Sequence, residues 1–149
     1  MKTKILAIAL VLFAITISSC SKDDDSSSSS TPIPSSDGFK WKENGGTTEK
    51  TAASATFSTQ YKTLIALDSA GATVFEINLN GTVPATYTID ATNAITYAGV
   101  NPFFIVDTGN VIILTNANNK VSGTFQGTGV SASSITSVSG TFTNITVVP

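Results

Sequence analysis

The stretch Tyr61-Lys62-Thr63-Leu64-Ile65-Ala66-Leu67-Asp68-Ser69-Ala70-Gly71-Ala72-Thr73-Val74-Phe75-Glu76-Ile77-Asn78-Leu79 decides the fold. Two runs of aliphatic, aromatic and β-branched residues flank a short segment that ends in glycine, which is the pattern of an antiparallel hairpin. Tyr61, Ile65 and Leu67 share a face with Phe75, Ile77 and Leu79 if odd residues pair with odd ones. That register leaves Ser69-Ala70-Gly71 as a three-residue loop with glycine in the left-handed position, and Glu76 beside Asn78 in solvent.

The same grammar runs outward in both directions. Phe39 to Glu43 places Phe39 and Trp41 on one face and Lys40 and Lys42 on the other, so Trp41 is expected in the core rather than as an exposed platform for sugar stacking. Asn44-Gly45-Gly46 then turns the chain, and a weaker strand follows near Ala52 to Phe57. Ala85–Ile89 and Ala94–Tyr97 suggest a second hairpin, with Tyr87 facing Tyr97 and Ile89 facing Ile95. Further on, Val121-Ser122-Gly123-Thr124-Phe125 is echoed by Val138-Ser139-Gly140-Thr141-Phe142. Paired as a hairpin turning near Ser131-Ala132, the two copies set Val121 opposite Phe142, Gly123 opposite Gly140 and Phe125 opposite Val138. Five matching residues are too few for a solenoid repeat. The expected fold is all-β, a single antiparallel meander of about ten strands forming a β-sandwich or flattened barrel.

One segment breaks the alternation. Phe103-Phe104-Ile105-Val106 and Val111-Ile112-Ile113-Leu114, joined through Asp107-Thr108-Gly109-Asn110, are apolar on both faces, whereas a half-buried antiparallel strand shows one polar face. Either the strands are covered on both sides, or one set is exposed as an interaction patch. The two sets are Phe103/Ile105/Ile112/Leu114 and Phe104/Val106/Val111/Ile113. Phe103, Phe104, Ile105, Ile112 and Leu114 are the candidate patch residues.

The amino-terminal quarter is of another kind. Lys2 and Lys4 precede the apolar run Ile5 to Ile17, a signal-peptide pattern too short for the roughly 20 residues of a membrane span. Ile17-Ser18-Ser19-Cys20 resembles a bacterial lipobox. The resemblance implies cleavage before Cys20, the only cysteine, and thioether and amide acylation there, palmitate-type chains that hold the protein to a membrane. Ser21 to Ser36 reads SKDDDSSSSSTPIPSS, a disordered linker with a root-mean-square span of roughly 20–24 Å. Its Lys22-Asp23-Asp24-Asp25 is similar to the acidic stretch that follows the lipidated cysteine in Bacteroidota lipoproteins and sends them to the outer face of the outer membrane. The chain therefore divides into a signal peptide over 1–19, a lipidated cysteine and tether over 20–36, and an all-β domain over 37–149. From Phe39 to Val148 the order of strands and the closing Ser-Gly-Thr-Phe hairpin resemble a group of small Bacteroidota lipoproteins with a domain of unknown function, which supplies no catalytic residues to carry over.

Composition narrows function further. The segment from Cys20 onward has six lysines, no arginine and ten acids, a net charge of −4. Such sparse cations do not make a nucleic-acid groove. With no histidine and the one thiol acylated, the common nucleophile–base pairs and zinc sites lack their parts. The expectation is a non-catalytic binding module without cofactor or metal, holding a glycan or an envelope protein. One alternative is a glycan-active enzyme built on two of Glu43, Glu49, Asp68, Glu76, Asp90 and Asp107. Another is a lipocalin-like carrier, if the strands close around a cavity. Calcium at Asp107 to Asn110, or among Asn116, Asn118 and Asn119, has too few carboxylates to be preferred over turns. Asp68-Ser69-Ala70 resembles a short motif of O-glycosylation in exported Bacteroidota proteins, which makes Ser69 a candidate modification site.

Overall fold

The computed structural model describes residues 36–149; the leader, Cys20 and the tether as far as residue 35 lie outside the described residues. The strands are β1 (Gly38–Glu43), β2 (Lys50–Thr51), β3 (Ser54–Ser58), β4 (Thr63–Leu67), β5 (Thr73–Asn78), β6 (Ala85–Thr88), β7 (Ala94–Tyr97), β8 (Phe104–Ile105), β9 (Thr108–Ala117), β10 (Lys120–Thr128) and β11 (Ser137–Val148). The domain is all-β. Nine strands follow one another in the order β6-β9-β10-β11-β3-β4-β5-β7-β8, in a sheet that curls into a half-barrel. All pairs are antiparallel except β11 with β3. The two remaining strands hang on β11, because β1 pairs with it directly and β2 pairs with β1.

The curl has a local cause. Between the pairs Val121↔Ile145 and Gly123↔Phe142, β10 has one residue, Ser122, where β11 has two, Thr143 and Asn144. On its other side β9 carries an extra residue, Leu114, at the same level. Bulges bend a strand and sharpen its twist, and two aligned across three strands make a corner. Asn144 takes a left-handed conformation there (φ 52°), and its N–H donates to the buried Ser122 hydroxyl at 2.9 Å. At this corner β11 changes neighbours, from β1 (Gly38↔Thr143) to β3 (Thr146↔Thr56).

Inside the curl lies a cluster of rings. Phe39 and Trp41 of β1 and Phe125 of β10 meet Phe75 of β5 and Tyr97 of β7, with centroids of contacting pairs 4.5 to 6.2 Å apart. Each such pair contributes about 0.5–1.5 kcal/mol beyond the burial of its area. Trp41 is a core residue, as its alternation with lysines implies.

Several pairings differ from the sequence reading, each for a physical reason. In the β4–β5 hairpin Leu67 pairs with Thr73 but Ala66 pairs with Phe75, so Val74 is an extra residue. One extra residue inverts parity, and the inward residues of β4 are Leu64 and Ala66 rather than Ile65 and Leu67. Tyr61, placed inward by the odd register, is 71% exposed. Ala85–Ile89 and Ala94–Tyr97 do not pair with each other: β6 lies on β9 and β7 on β5. The chain between them is a corner held by Asn93, whose amide accepts from the Asn80 N–H at 2.8 Å and donates to the Thr88 carbonyl at 3.0 Å. The echo does form a hairpin, two residues out of the expected register, with Gly123 opposite Phe142 and Phe125 opposite Gly140. A side chain on Gly123 would meet the Phe142 ring, and one on Gly140 the Phe125 ring. Each phenylalanine thus lies over the glycine facing it, a fit that phenylalanine opposite valine does not allow.

Candidate functional site

Alternation sends Val111, Ile113, Phe125, Val138, Phe142, Phe39 and Trp41 inward, so the residues between them form the outer face of β9, β10, β11 and β1. The register aligns these in rungs across the strands. One rung is Ile112, Thr124, Thr141 and Lys40; the next is Asn110, Gln126, Ser139 and Lys42; a third is Thr108, Thr128 and Ser137. Two depressions of about 450 and 380 Å³ lie over these rungs and share Gln126 and Ser139, which makes them one groove. Glu49 stands at its rim, 3.4 Å from Lys40.

Most polar side chains of the groove are uncommitted. Thr108 and Thr128 bond to each other at 2.9 Å. Among the described residues, the side chains of Lys42, Asn110, Thr124, Gln126, Ser139 and Thr141 make no hydrogen bond within the protein. The groove was not foreseen from sequence. Its signal is the outward Thr, Ser, Asn and Gln of consecutive strands, which become one surface only once the register is known.

The carboxylates are in the opposite condition. Glu43 accepts from Lys50 Nζ at 2.6 Å, from the Tyr97 hydroxyl, and at the 3.5 Å limit from Trp41 Nε1. Partial burial pushes the Glu43 carboxyl up, but the bonds from Lys50, Tyr97 and Trp41, with the Lys50 charge, outweigh it and hold the group below its ordinary range. The same bond raises Lys50, while burial and then Glu43 raise the Tyr97 hydroxyl. Asp68 Oδ1 closes its turn by accepting from Ala70 and Ala72 N–H at 2.8 and 2.9 Å. Asp90 Oδ1 accepts from the Thr92 hydroxyl and N–H, both at 2.7 Å, and from Asn93 N–H, and these bonds lower its pKa. Asp107 Oδ2 accepts from Val130 N–H at 2.9 Å, and Glu76 Oε1 from the Asn78 amide at 2.8 Å. Of the six, only Glu49 lines the groove, and it is paired.

The calcium candidates lie on β9 or beside its two ends. Asn118 and Asn119 are left-handed (φ 54° and 57°) in the turn from β9 to β10, and the Asn116 amide donates to the Thr82 carbonyl. Among the described residues no group of three or more His, Cys, Asp or Glu is placed to hold a metal ion.

The doubly apolar segment resolves into one buried and one outward set. Phe104, Val106, Val111 and Ile113 are buried; Phe103 and Ile105 are 58% and 49% exposed, and Ile112 and Leu114 are half-buried. Phe104, counted among the patch candidates, is fully buried, because as partner of Tyr97 it faces the ring cluster. The outward set is also divided. β8 pairs with β7 while β9 lies between β6 and β10, so Phe103 and Ile105 do not neighbour Ile112 and Leu114 in the sheet. Asp107 ties Val130, 92% exposed, to the β8 side instead. Ser69 is exposed at the tip of the β4–β5 turn, beside Gly71 at φ 82°.

Comparison of the chain with protein-family models, with curated proteins and with solved structures returns no match.

Proposed function

We propose that the chain is a lipid-anchored protein of the outer-membrane surface whose β domain is a binding module without catalytic chemistry. The observation that carries the module reading is a contrast. A groove whose amides, most hydroxyls and one ammonium are uncommitted crosses four strands, while each of the six candidate carboxylates is already engaged by a neighbour. A glycan-active enzyme needs two carboxyl groups facing across a cleft, about 5–9.5 Å apart. The groove offers Glu49 alone, and that is held by Lys40. A carrier needs interior space, and the interior of this curl holds five packed rings. The lipobox at Cys20 and the acidic run at Asp23 support the anchor and its outward direction.

Fractionation of cells expressing the wild type and Cys20→Ala tests the anchor. The expected result is wild-type protein in the outer membrane, accessible to protease added to whole cells, and soluble variant. Equal partitioning of the two overturns the anchor. Intact mass from the native host tests Ser69, with no hexose increment as the result that removes it. A second use of the surface is favoured by Phe103, Ile105 and Val130, whose exposure suits an envelope-protein contact. Phe103→Ser should weaken such a complex without changing the melting temperature.

A further inference from the structure

We propose that the outer-face groove takes an acidic oligosaccharide, lying across the strands with a carboxylate against Lys42. This rests on the binding-module reading and names the ligand class.

The charge argument is specific to one residue. Among the described lysines, Lys40 is paired with Glu49 and Lys50 with Glu43, Lys62 donates to the Asn80 carbonyl at 3.1 Å, and Lys120 donates to the Thr146 hydroxyl at 3.0 Å. Lys42 alone has no partner, and it is half-buried at the side of the groove, on the rung with Ser139 and Gln126. A lysine with no counter-ion in the protein, beside open space, is suited to pair with an anion. The rest of the groove selects what carries that anion. Asn110 and Gln126 sit directly opposite each other, and each amide both donates and accepts; so do the hydroxyls of Thr124 and Ser139. Vicinal hydroxyls of a sugar ring have the same dual character. Neighbouring strands are about 4.8 Å apart, so the four strands offer roughly 14 Å, the length of a short oligosaccharide rather than of a single ring.

The test uses the mature lipoprotein, from Cys20, in detergent micelles. It is titrated calorimetrically with a galacturonic acid tetramer and, separately, with the neutral maltotetraose, with hydrogen exchange followed in both. The expected result is binding of the uronate that slows exchange in residues 108–112, 124–128 and 137–141. It should weaken about tenfold in Lys42→Gln and in Gln126→Ala at unchanged melting temperature, with little binding of the neutral sugar. Equal binding of both sugars, or a Lys42→Gln variant that binds the uronate as wild type does, overturns the acidic ligand and leaves the module reading standing. Absence of protection in these strands with either sugar removes the groove as a glycan site, and the module reading then depends on the Phe103, Ile105 and Val130 surface.

Discussion

The strands β9, β10, β11 and β1 have two faces built from the same backbone to opposite rules. On the inner face each large ring is assigned to a space: Phe125 lies over Gly140, Phe142 over Gly123, and Phe39 and Trp41 meet Phe75. On the outer face Thr124, Gln126, Ser139 and Lys42 touch no polar partner among the described residues. Close packing makes a site intolerant of change, because neighbours cannot yield; unpaired surface groups make it tolerant and available. The difference teaches that stability resides on one side of these strands, while the other keeps its polar groups available.

The hardest blow to that division is a bulky residue at the inner face. Gly123→Val sets a side chain against the Ile112 backbone carbonyl and the Phe142 ring, and a backbone atom cannot rotate away. A loss of about 3 kcal/mol or more is expected in urea unfolding. A wild-type midpoint would show that the glycine–ring fit is not what fixes this face. Next comes Asn93→Ala, which strands the Asn80 N–H and the Thr88 carbonyl at the β6–β7 corner, at about 2 kcal/mol by the same measurement.

Glu43→Gln should cost about 1 kcal/mol near neutrality, discounted for partial exposure. Its pH dependence has a definite sign. The folded-state pKa of Glu43 lies below its ordinary value of 4.5, so the contribution is present above that value and is lost as pH falls through the lowered one. Wild type and variant should therefore differ at pH 7 and converge as acid protonates the carboxyl, as read from urea midpoints at falling pH. The smallest effect belongs to the outer face: Thr124→Ala with Gln126→Ala should change stability by less than about 0.5 kcal/mol. A larger loss would mean that the groove residues also support the fold.

How much of this was legible in the sequence depends on what a period-two pattern encodes. It reports which face a residue takes, so Phe39, Trp41, Phe75 and Ile77 were placed inward correctly. It does not report neighbours. Tyr87 and Tyr97 both point inward yet sit on strands that never touch, because the Asn93 amide makes the link a corner. Nor does it mark a bulge: Val74 inverted the faces of β4, and nothing in Thr63-Leu64-Ile65-Ala66-Leu67 distinguishes the two parities, since both put aliphatics inside. The turns at Asn44-Gly45-Gly46 and Gly71 were readable because left-handed backbone restricts residue choice. The groove was not, because it is a property of register alone.

The strand that holds the middle of the sheet is also the last of the described strands along the chain. Residues 137–148 are paired on one side with β10 and on the other with β1 and β3, partners some hundred residues earlier in the chain. Early segments of the domain therefore lack their neighbour until synthesis has passed residue 148, and contacts of such long sequence separation form slowly. The domain thus stays pliable while most of it is already made and locks only when this strand pairs.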